Sequence, residues 1–252
     1  MNEIYVKYGN STEDAGAYIE KVAGLKVYFG HRSVGNNIVE GIEKWEDETG
    51  VKLVKVESKD PTSHSEAPLV HFGVGENSDP RSKVDDFVSL VGKIPEGGNP
   101  VAFFKFCYVD ITSETDVDEV YAYYKEKMLY LKESYPNIRF AAITVPYMGK
   151  QGGMKALAKK ILGRASLGYL NNVKREAFNK KLVADFQGMM PIFDLGAIEA
   201  TLPDGTPETF TKDGTDYPLM PNIYTYDMGH LTNLGAKTLS YNLLAFLAEE
   251  FN

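Results

Sequence analysis

Two short stretches, far apart in the chain, carry residues suited to acyl transfer. The first reads GHRSVG, from Gly30 to Gly35, and lies between an apolar run and a helical pattern. A serine on such a turn, Ser33, would expose its hydroxyl, and the amides of the helix N-terminus would face a nearby anion. Acyl transfer needs such donors, because the oxyanion of its intermediate must be met by groups already in place. The alternative is that Ser33 only caps the helix.

The second stretch holds Asp227 and His230, three residues apart and directly before the last helical pattern. A histidine supplies a base near neutral pH. An aspartate three residues earlier can bind the other ring nitrogen, fix the tautomer and stabilise the imidazolium. Taken alone, the pair is more typical of a turn-forming aspartate and a surface or capping histidine. Combined with Ser33, it favours a Ser-His-Asp triad.

The elements that must position these residues alternate between strand and helix. The runs that are short and nearly continuously apolar, as in strands buried on both faces, are Leu25–Phe29, Lys52–Glu57, Val101–Tyr108, Ile138–Val145 and Pro191–Leu195. Helical periodicity marks Glu13–Val22, Val34–Trp45, Arg81–Val91, Asp116–Tyr135, Leu170–Phe186 and Leu234–Phe251. This alternation predicts an α/β fold with a parallel sheet covered on both faces. Residues 58–80 and 202–226 are expected to be long loops. No linker divides the chain, so we expect a single domain over 1–252.

An early serine and a late Asp-x-x-His on an α/β chain resemble the SGNH/GDSL hydrolase family of esterases and acylhydrolases. The resemblance implies a three-layer α/β/α sandwich of flavodoxin-like type with a mainly parallel central sheet. It also implies that Ser33 is the nucleophile, His230 the general base and then general acid, and Asp227 the orienting carboxylate. The family's first block reads Gly-Asp-Ser, whereas this chain has Gly-His-x-Ser-Val-Gly and looks like a divergent branch.

The resemblance also implies oxyanion donors from a glycine after the second strand and an asparagine after the third. Where the family has Gly-x-Asn-Asp, this chain has Cys-Tyr-Val-Asp at residues 107–110, so the asparagine is missing. The loop at residues 71–80 offers the Gly75 amide and the Asn77 side chain as candidates. Turn formation is the alternative for both, since Gly and Asn tolerate positive φ.

Three residues near the first block and the third strand have open roles. His31 is a candidate pocket residue for a substrate oxygen, or it holds the turn. Arg32 is a candidate for attracting a substrate carboxylate, or it is simply solvated. Cys107 is expected to be a small buried hydrophobe rather than a nucleophile. The scattered His and Asp residues lack metal-ligand spacing, so no metal is expected.

Composition excludes several classes of protein. The 252 residues include 27 Lys+Arg and 35 Asp+Glu, a formal charge of −8, which disfavours binding to nucleic acid. A single cysteine excludes an internal disulfide and a cysteine-cluster metal site. No apolar run reaches the roughly 20 residues of a membrane span. Met1 to Tyr8 shows no signal-peptide pattern; an exported protein with its signal removed would look the same, so the compartment stays open.

The sequence thus predicts a serine esterase or acylhydrolase that needs no cofactor. The expected substrates are small-molecule or carbohydrate esters, since short-chain esters and acetylated carbohydrates are what the resemblance implies. Two rivals stay open. One is a non-catalytic glycan-binding module on the same fold, motivated by the altered third block. The other is an acyltransferase, which would use the same residues. The oligomeric state is left open.

Overall fold

The computed structural model describes residues 4–5, 10–95, 97–150 and 167–252. Most of the N-terminal stretch considered for a signal peptide lies outside these residues. The elements in chain order are β1 (Ile4–Tyr5), α1 (Thr12–Val22), β2 (Val27–His31), α2 (Val34–Thr49), β3 (Lys55–Glu57), a 3₁₀ turn (Pro61–His64), β4 (Leu69–Gly73), α3 (Pro80–Val91), β5 (Val101–Phe104), α4 (Val117–Ser134), β6 (Arg139–Phe140), β7 (Ala142–Ile143), α5 (Leu167–Phe186), β8 (Ile192–Phe193), α6 (Leu195–Glu199), β9 (Thr209–Lys212), β10 (Thr215–Pro218) and α7 (Asn233–Glu250).

The central sheet is made of parallel strands in two adjoining ladders. The larger has the order β3-β4-β2-β5-β6, and the smaller has the order β1-β8-β7. Every pairing in both ladders is parallel. Only Ala141 separates β6 from β7 along the chain, so the ladders meet there. The predicted α/β fold with a mainly parallel sheet is confirmed.

Helices cover both faces of this sheet, as side-chain alternation along β2 illustrates. Val27 and Phe29 pack in one core with the apolar faces of α1, α2 and α7. Tyr28 points the other way, into a second core with α3, α4 and α5. Because successive side chains of a strand point to opposite faces, this single strand contributes to both cores. The result is three layers, α/β/α.

Both segments expected to be loops contain strands. Leu69–Gly73 forms β4, which lies between β2 and β3 and is buried along most of its length. The polar His71 interrupts its apolar run, so the sequence pattern does not mark this strand. The second segment contains the β9–β10 hairpin, whose turn residues Asp213 and Gly214 both have positive φ, 50° and 78°. Asp-Gly is a preferred pair for such a two-residue hairpin turn.

Candidate active site

Ser33 lies on the turn between β2 and α2 in an unusual backbone conformation. Its φ is 54° and its ψ is −109°, a region that non-glycine residues seldom occupy. It holds the N-cap position of α2, yet its side chain makes no capping hydrogen bond. The hydroxyl is therefore directed elsewhere, and the strain must be sustained by the surrounding structure.

The hydroxyl of Ser33 contacts His230, which in turn contacts Asp227, the other residue predicted to act with it. Ser33 Oγ donates to His230 Nε2 at 2.7 Å, and His230 Nδ1 donates to Asp227 Oδ2 at 2.6 Å. The other carboxylate oxygen, Oδ1, accepts the amides of Gly229 at 3.0 Å and His230 at 2.7 Å. Partial burial alone would raise the pKa of Asp227, but these bonds hold it below its ordinary value. The structure thus brings the three side chains into a continuous hydrogen-bonded chain.

The loop that carries Asp227 and His230 is tied to itself and to α2. The His230 carbonyl accepts the Thr225 hydroxyl at 2.7 Å and the Tyr226 amide at 3.3 Å. The next amide, of Leu231, donates to Asn37 Oδ1 on α2 at 3.2 Å. These bonds join the two distant sequence stretches directly beside the reacting groups.

Steric constraints explain the glycines of the first block. A Cβ on Gly30 would lie 2.8 Å from the side chain of Val74, directly after β4, and 2.9 Å from that of Phe104 in β5. A Cβ on Gly35 would lie 2.3 Å from the Cβ of His31. The imidazole therefore packs beneath the first turn of α2, and glycine at position 35 makes room for it.

His31 is not a pocket residue, which corrects the prediction. It is 1% exposed, and its ring stacks on that of His71 with centroids 5.2 Å apart. The His31 Nε2 and His71 Nδ1 atoms are 3.1 Å apart, and His31 Nδ1 is buried without a partner. Burial, followed by the charges of Lys105, His71 and Arg32, lowers the pKa of His31 to about 2. The ring supports the turn of Ser33 as a neutral group.

Arg32 holds the loop that follows β4. Its Nε donates to the Val74 carbonyl at 3.2 Å, and its Nη2 donates to the Gly75 carbonyl at 2.5 Å. The exposed carboxylate of Glu76 lies 3.7 Å from the guanidinium. The Glu76 carboxylate would repel an incoming substrate carboxylate, so the attraction predicted for Arg32 would meet competition.

The two candidate oxyanion donors, Gly75 and Asn77, differ in whether their N–H groups are already hydrogen-bonded within the protein. The single N–H of Gly75 donates to Asp86 Oδ2 at 2.9 Å, so this amide is already engaged and the prediction for it is corrected. Asn77 Oδ1 accepts from Lys83 Nζ at 2.9 Å. With its oxygen held by a lysine, which only donates, the amide NH₂ of Asn77 must face the other way. Asn77 stays a candidate donor.

A buried ion pair that sequence reasoning missed fixes this region. Lys83 Nζ lies 2.6 Å from Asp110 Oδ2, and both side chains are fully buried. Asp110 also accepts the amides of Cys107 at 2.6 Å and Ser78 at 2.9 Å. It therefore joins the loop after β4 to the loop after β5. Nothing in the helical pattern of residues 81–91 marks Lys83 as buried, because its partner is distant in sequence.

Comparison with known proteins places this architecture. No family model matches the sequence, and no curated protein matches it. Among solved structures, a candidate platelet activating factor from Streptococcus pneumonia is 13% identical, with 94% of this chain and 92% of that chain covered and a TM-score of 0.51. This similarity extends over nearly the whole of both chains and concerns the fold alone.

Two further structures have lower TM-scores. A lipolytic protein of the G-D-S-L family from Veillonella parvula is 12% identical over 87% of this chain and 95% of that one, with a TM-score of 0.48. The periplasmic domain of a lipopolysaccharide acetyltransferase from Salmonella ser. Paratyphi A is 13% identical over 93% and 95%, with a TM-score of 0.49. At these identities, the comparison concerns the fold alone.

Two tyrosines flank the candidate base, and the sequence pattern did not reveal either. The ring of Tyr108 lies edge-on to the imidazole of His230, and the ring of Tyr226 lies nearly parallel to that imidazole. In each pair the ring centroids are 6.1 Å apart. Tyr108 lies in the loop after β5, and a Cβ on Gly229 would lie 2.4 Å from its ring. The fully buried Arg175 donates to the Tyr108 carbonyl. Tyr226 is 69% exposed, so its ring lies at the surface beside His230.

The described residues contain no group of three or more His, Cys, Asp or Glu side chains that could hold a metal ion. Among the helices described here, none is both long and apolar enough to cross a membrane.

Proposed function

We propose that this protein is a serine esterase or acylhydrolase with Ser33 as nucleophile, His230 as general base and acid, and Asp227 as orienting group. The observation that carries the proposal is the continuous chain from Ser33 Oγ through His230 to Asp227, with separations of 2.7 Å and 2.6 Å. Both distances are within hydrogen-bond reach, which a nucleophile and its base require. The strained turn at Ser33 supports the same role, since such strain clusters at functional sites.

In the first half of the reaction, Ser33 Oγ attacks the ester carbonyl carbon while His230 Nε2 accepts its proton. His230 then donates this proton to the alcohol oxygen as the carbon–oxygen bond breaks, leaving an acyl-serine. In the second half, His230 takes a proton from water, the hydroxide attacks the acyl carbon, and the acid leaves as Ser33 regains its proton. Asp227 stabilises the imidazolium in both halves. The Ser33 amide, at the start of α2, and the Asn77 NH₂ are the proposed oxyanion donors.

The proposed substrates are neutral esters of small acids, with an acetylated sugar as the leading class. The alcohol must leave on the side of His230, because His230 protonates it. That side is flanked by the rings of Tyr108 and Tyr226, and aromatic faces suit the apolar face of a sugar ring. The nearby carboxylates of Glu76 and Asp227 favour a neutral substrate over an anionic one.

The test compares hydrolysis of p-nitrophenyl acetate and of an acetylated monosaccharide by wild type, Ser33→Ala and His230→Ala. Ser78→Ala is the matched control, since Ser78 also lies in a loop at positive φ, 67°, but contacts the ion pair only through its amide. We expect Ser33→Ala and His230→Ala to lose roughly 10³-fold or more in kcat, because the groups act as a unit, and the control to retain wild-type rates. Hydrolysis that survives in folded Ser33→Ala would contradict the proposal.

The third-block asparagine is absent, with Val109 at its position, and this favours a second candidate function, a glycan-binding module without catalysis. That function predicts no hydrolysis by wild type. It also predicts saturable binding of the acetylated monosaccharide, measured by calorimetry, that Ser33→Ala leaves intact and Tyr226→Ala weakens.

A further inference from the structure

The peptide bond between Arg32 and Ser33 is held from inside the protein. Its carbonyl oxygen, on Arg32, accepts the Gly35 amide at 3.1 Å and the Cys107 thiol at 3.4 Å. The carbonyl and the N–H of a trans peptide point in opposite directions. Fixing the carbonyl inward therefore fixes the Ser33 N–H outward, where the proposed reaction needs an oxyanion donor.

The backbone conformation of Ser33 depends on the hydrogen bonds to the Arg32 carbonyl. A φ of 54° strains the backbone of a non-glycine residue. Rotation of the Arg32–Ser33 peptide plane would relieve it, because φ of Ser33 changes with the orientation of that plane. The same rotation would turn the Ser33 N–H away from the site. Any group that binds the Arg32 carbonyl opposes this rotation.

The direction of the thiol proton is set by the neighbours of Cys107. Lys105 Nζ donates to the Cys107 sulfur at 3.6 Å and to the Phe106 carbonyl at 3.2 Å. Since a lysine ammonium only donates, the sulfur accepts on that side and its own proton is free for the Arg32 carbonyl. Asp110 Oδ2 accepts the Cys107 amide at 2.6 Å, which holds the backbone in place. Cys107 is fully buried and Lys105 is 1% exposed, so water does not compete for these bonds.

We propose that Cys107 is a positioning residue for the reaction, acting through the Arg32–Ser33 peptide. Its thiol donates a hydrogen bond to the Arg32 carbonyl and so keeps Ser33 at positive φ. In this conformation the Ser33 N–H points toward the oxyanion. This inference rests on the proposed esterase function. It assigns the cysteine a hydrogen-bonding role that a small buried hydrophobe at this position would not fill.

The experiment compares Cys107→Ala, which removes the donor, with Cys107→Ser, which keeps one. Loss of one hydrogen bond corresponds to about a five- to tenfold effect. We therefore expect Cys107→Ala to lower kcat for p-nitrophenyl acetate about five- to tenfold with KM within about twofold of wild type. Cys107→Ser restores kcat to within about threefold. Crystal structures of both variants provide the second readout, with Ser33 at negative φ in Cys107→Ala and at positive φ in Cys107→Ser.

Two results overturn the inference. One is wild-type kcat in Cys107→Ala with Ser33 still at positive φ. The other is equal damage in both variants, which indicates packing rather than hydrogen bonding. If wild type hydrolyses no ester, the proposed function fails separately. The φ of Ser33 in the crystal structure of Cys107→Ala then still decides whether the thiol holds the turn. An unchanged φ refutes the role proposed for the hydrogen bond between the thiol and the Arg32 carbonyl.

Discussion

The buried His31 makes a quantitative prediction about acid stability. Its pKa is about 2 in the native protein, where burial disfavours the imidazolium, against an ordinary value of 6.5. The unfolded chain therefore takes up a proton at this residue as the pH falls below about 6.5, and the native state does not until about 2. The contribution of neutral His31 to the free energy of unfolding is therefore fully present above about pH 6.5 and declines as the pH falls below that value. Between pH 7 and pH 4.5 the free energy of unfolding should fall by about 2.5 kcal/mol through His31 alone.

The assay is urea unfolding at the two pH values, followed by the fluorescence of Trp45, the single tryptophan of the chain, which is 2% exposed. The matched variant is His31→Gln, which keeps an amide in place of the ring and does not titrate. It is expected to be less stable than wild type at pH 7, because the stacking on His71 is lost. Its loss of unfolding free energy between pH 7 and pH 4.5 should be smaller than that of wild type by about 2.5 kcal/mol. Equal losses in the two proteins would refute the reasoning.

Three further substitutions have defined outcomes. Asp227→Asn should lower kcat by about 10³- to 10⁴-fold, since the amide no longer fixes the productive tautomer of the base, while the protein stays folded in the same urea assay. Lys83→Met leaves Asp110 buried without its cation and should cost about 3–5 kcal/mol of unfolding free energy, and the double variant with Asp110→Asn should recover part of this loss. Gly35→Ala drives a methyl group against His31 and should cost about 1–3 kcal/mol, measured by the urea midpoint. An unchanged kcat in Asp227→Asn would contradict the role of the Asp227–His230 contact. An unchanged urea midpoint would contradict the Lys83–Asp110 ion pair in Lys83→Met and the close packing on His31 in Gly35→Ala.

The sequence was sufficient for the parts of the account that depend on local patterns. Apolar runs alternating with helical periodicity predicted the parallel sheet and its helices, because each pattern expresses the burial of its own element. The short spacing between Asp227 and His230 predicted their contact for the same local reason. Their approach to Ser33, which is distant in the chain, was implied by the resemblance to a known family and by no local pattern.

The parts that failed depend on partners distant in sequence. His31 lies in a polar sequence motif that suggests exposure, yet it is buried. Its ring stacks on His71 and fills the space that glycine, having no side chain, leaves open at position 35. Gly75 was predicted to offer a free amide, yet its N–H donates a hydrogen bond to Asp86 Oδ2 on α3. The burial of a polar group and the occupancy of one N–H are decided by tertiary contacts, and a single sequence does not encode these in any local spacing.

The central claim is that Ser33 is an activated nucleophile, and covalent labelling tests it most directly. Folded wild type, Ser33→Ala and the control Ser78→Ala are treated with a small fluorophosphonate and weighed intact. We expect one adduct on wild type and on the control, none on Ser33→Ala, and peptide mapping that places the adduct on Ser33. A folded wild type that takes up no adduct, or a Ser33→Ala variant that still does, would contradict the account.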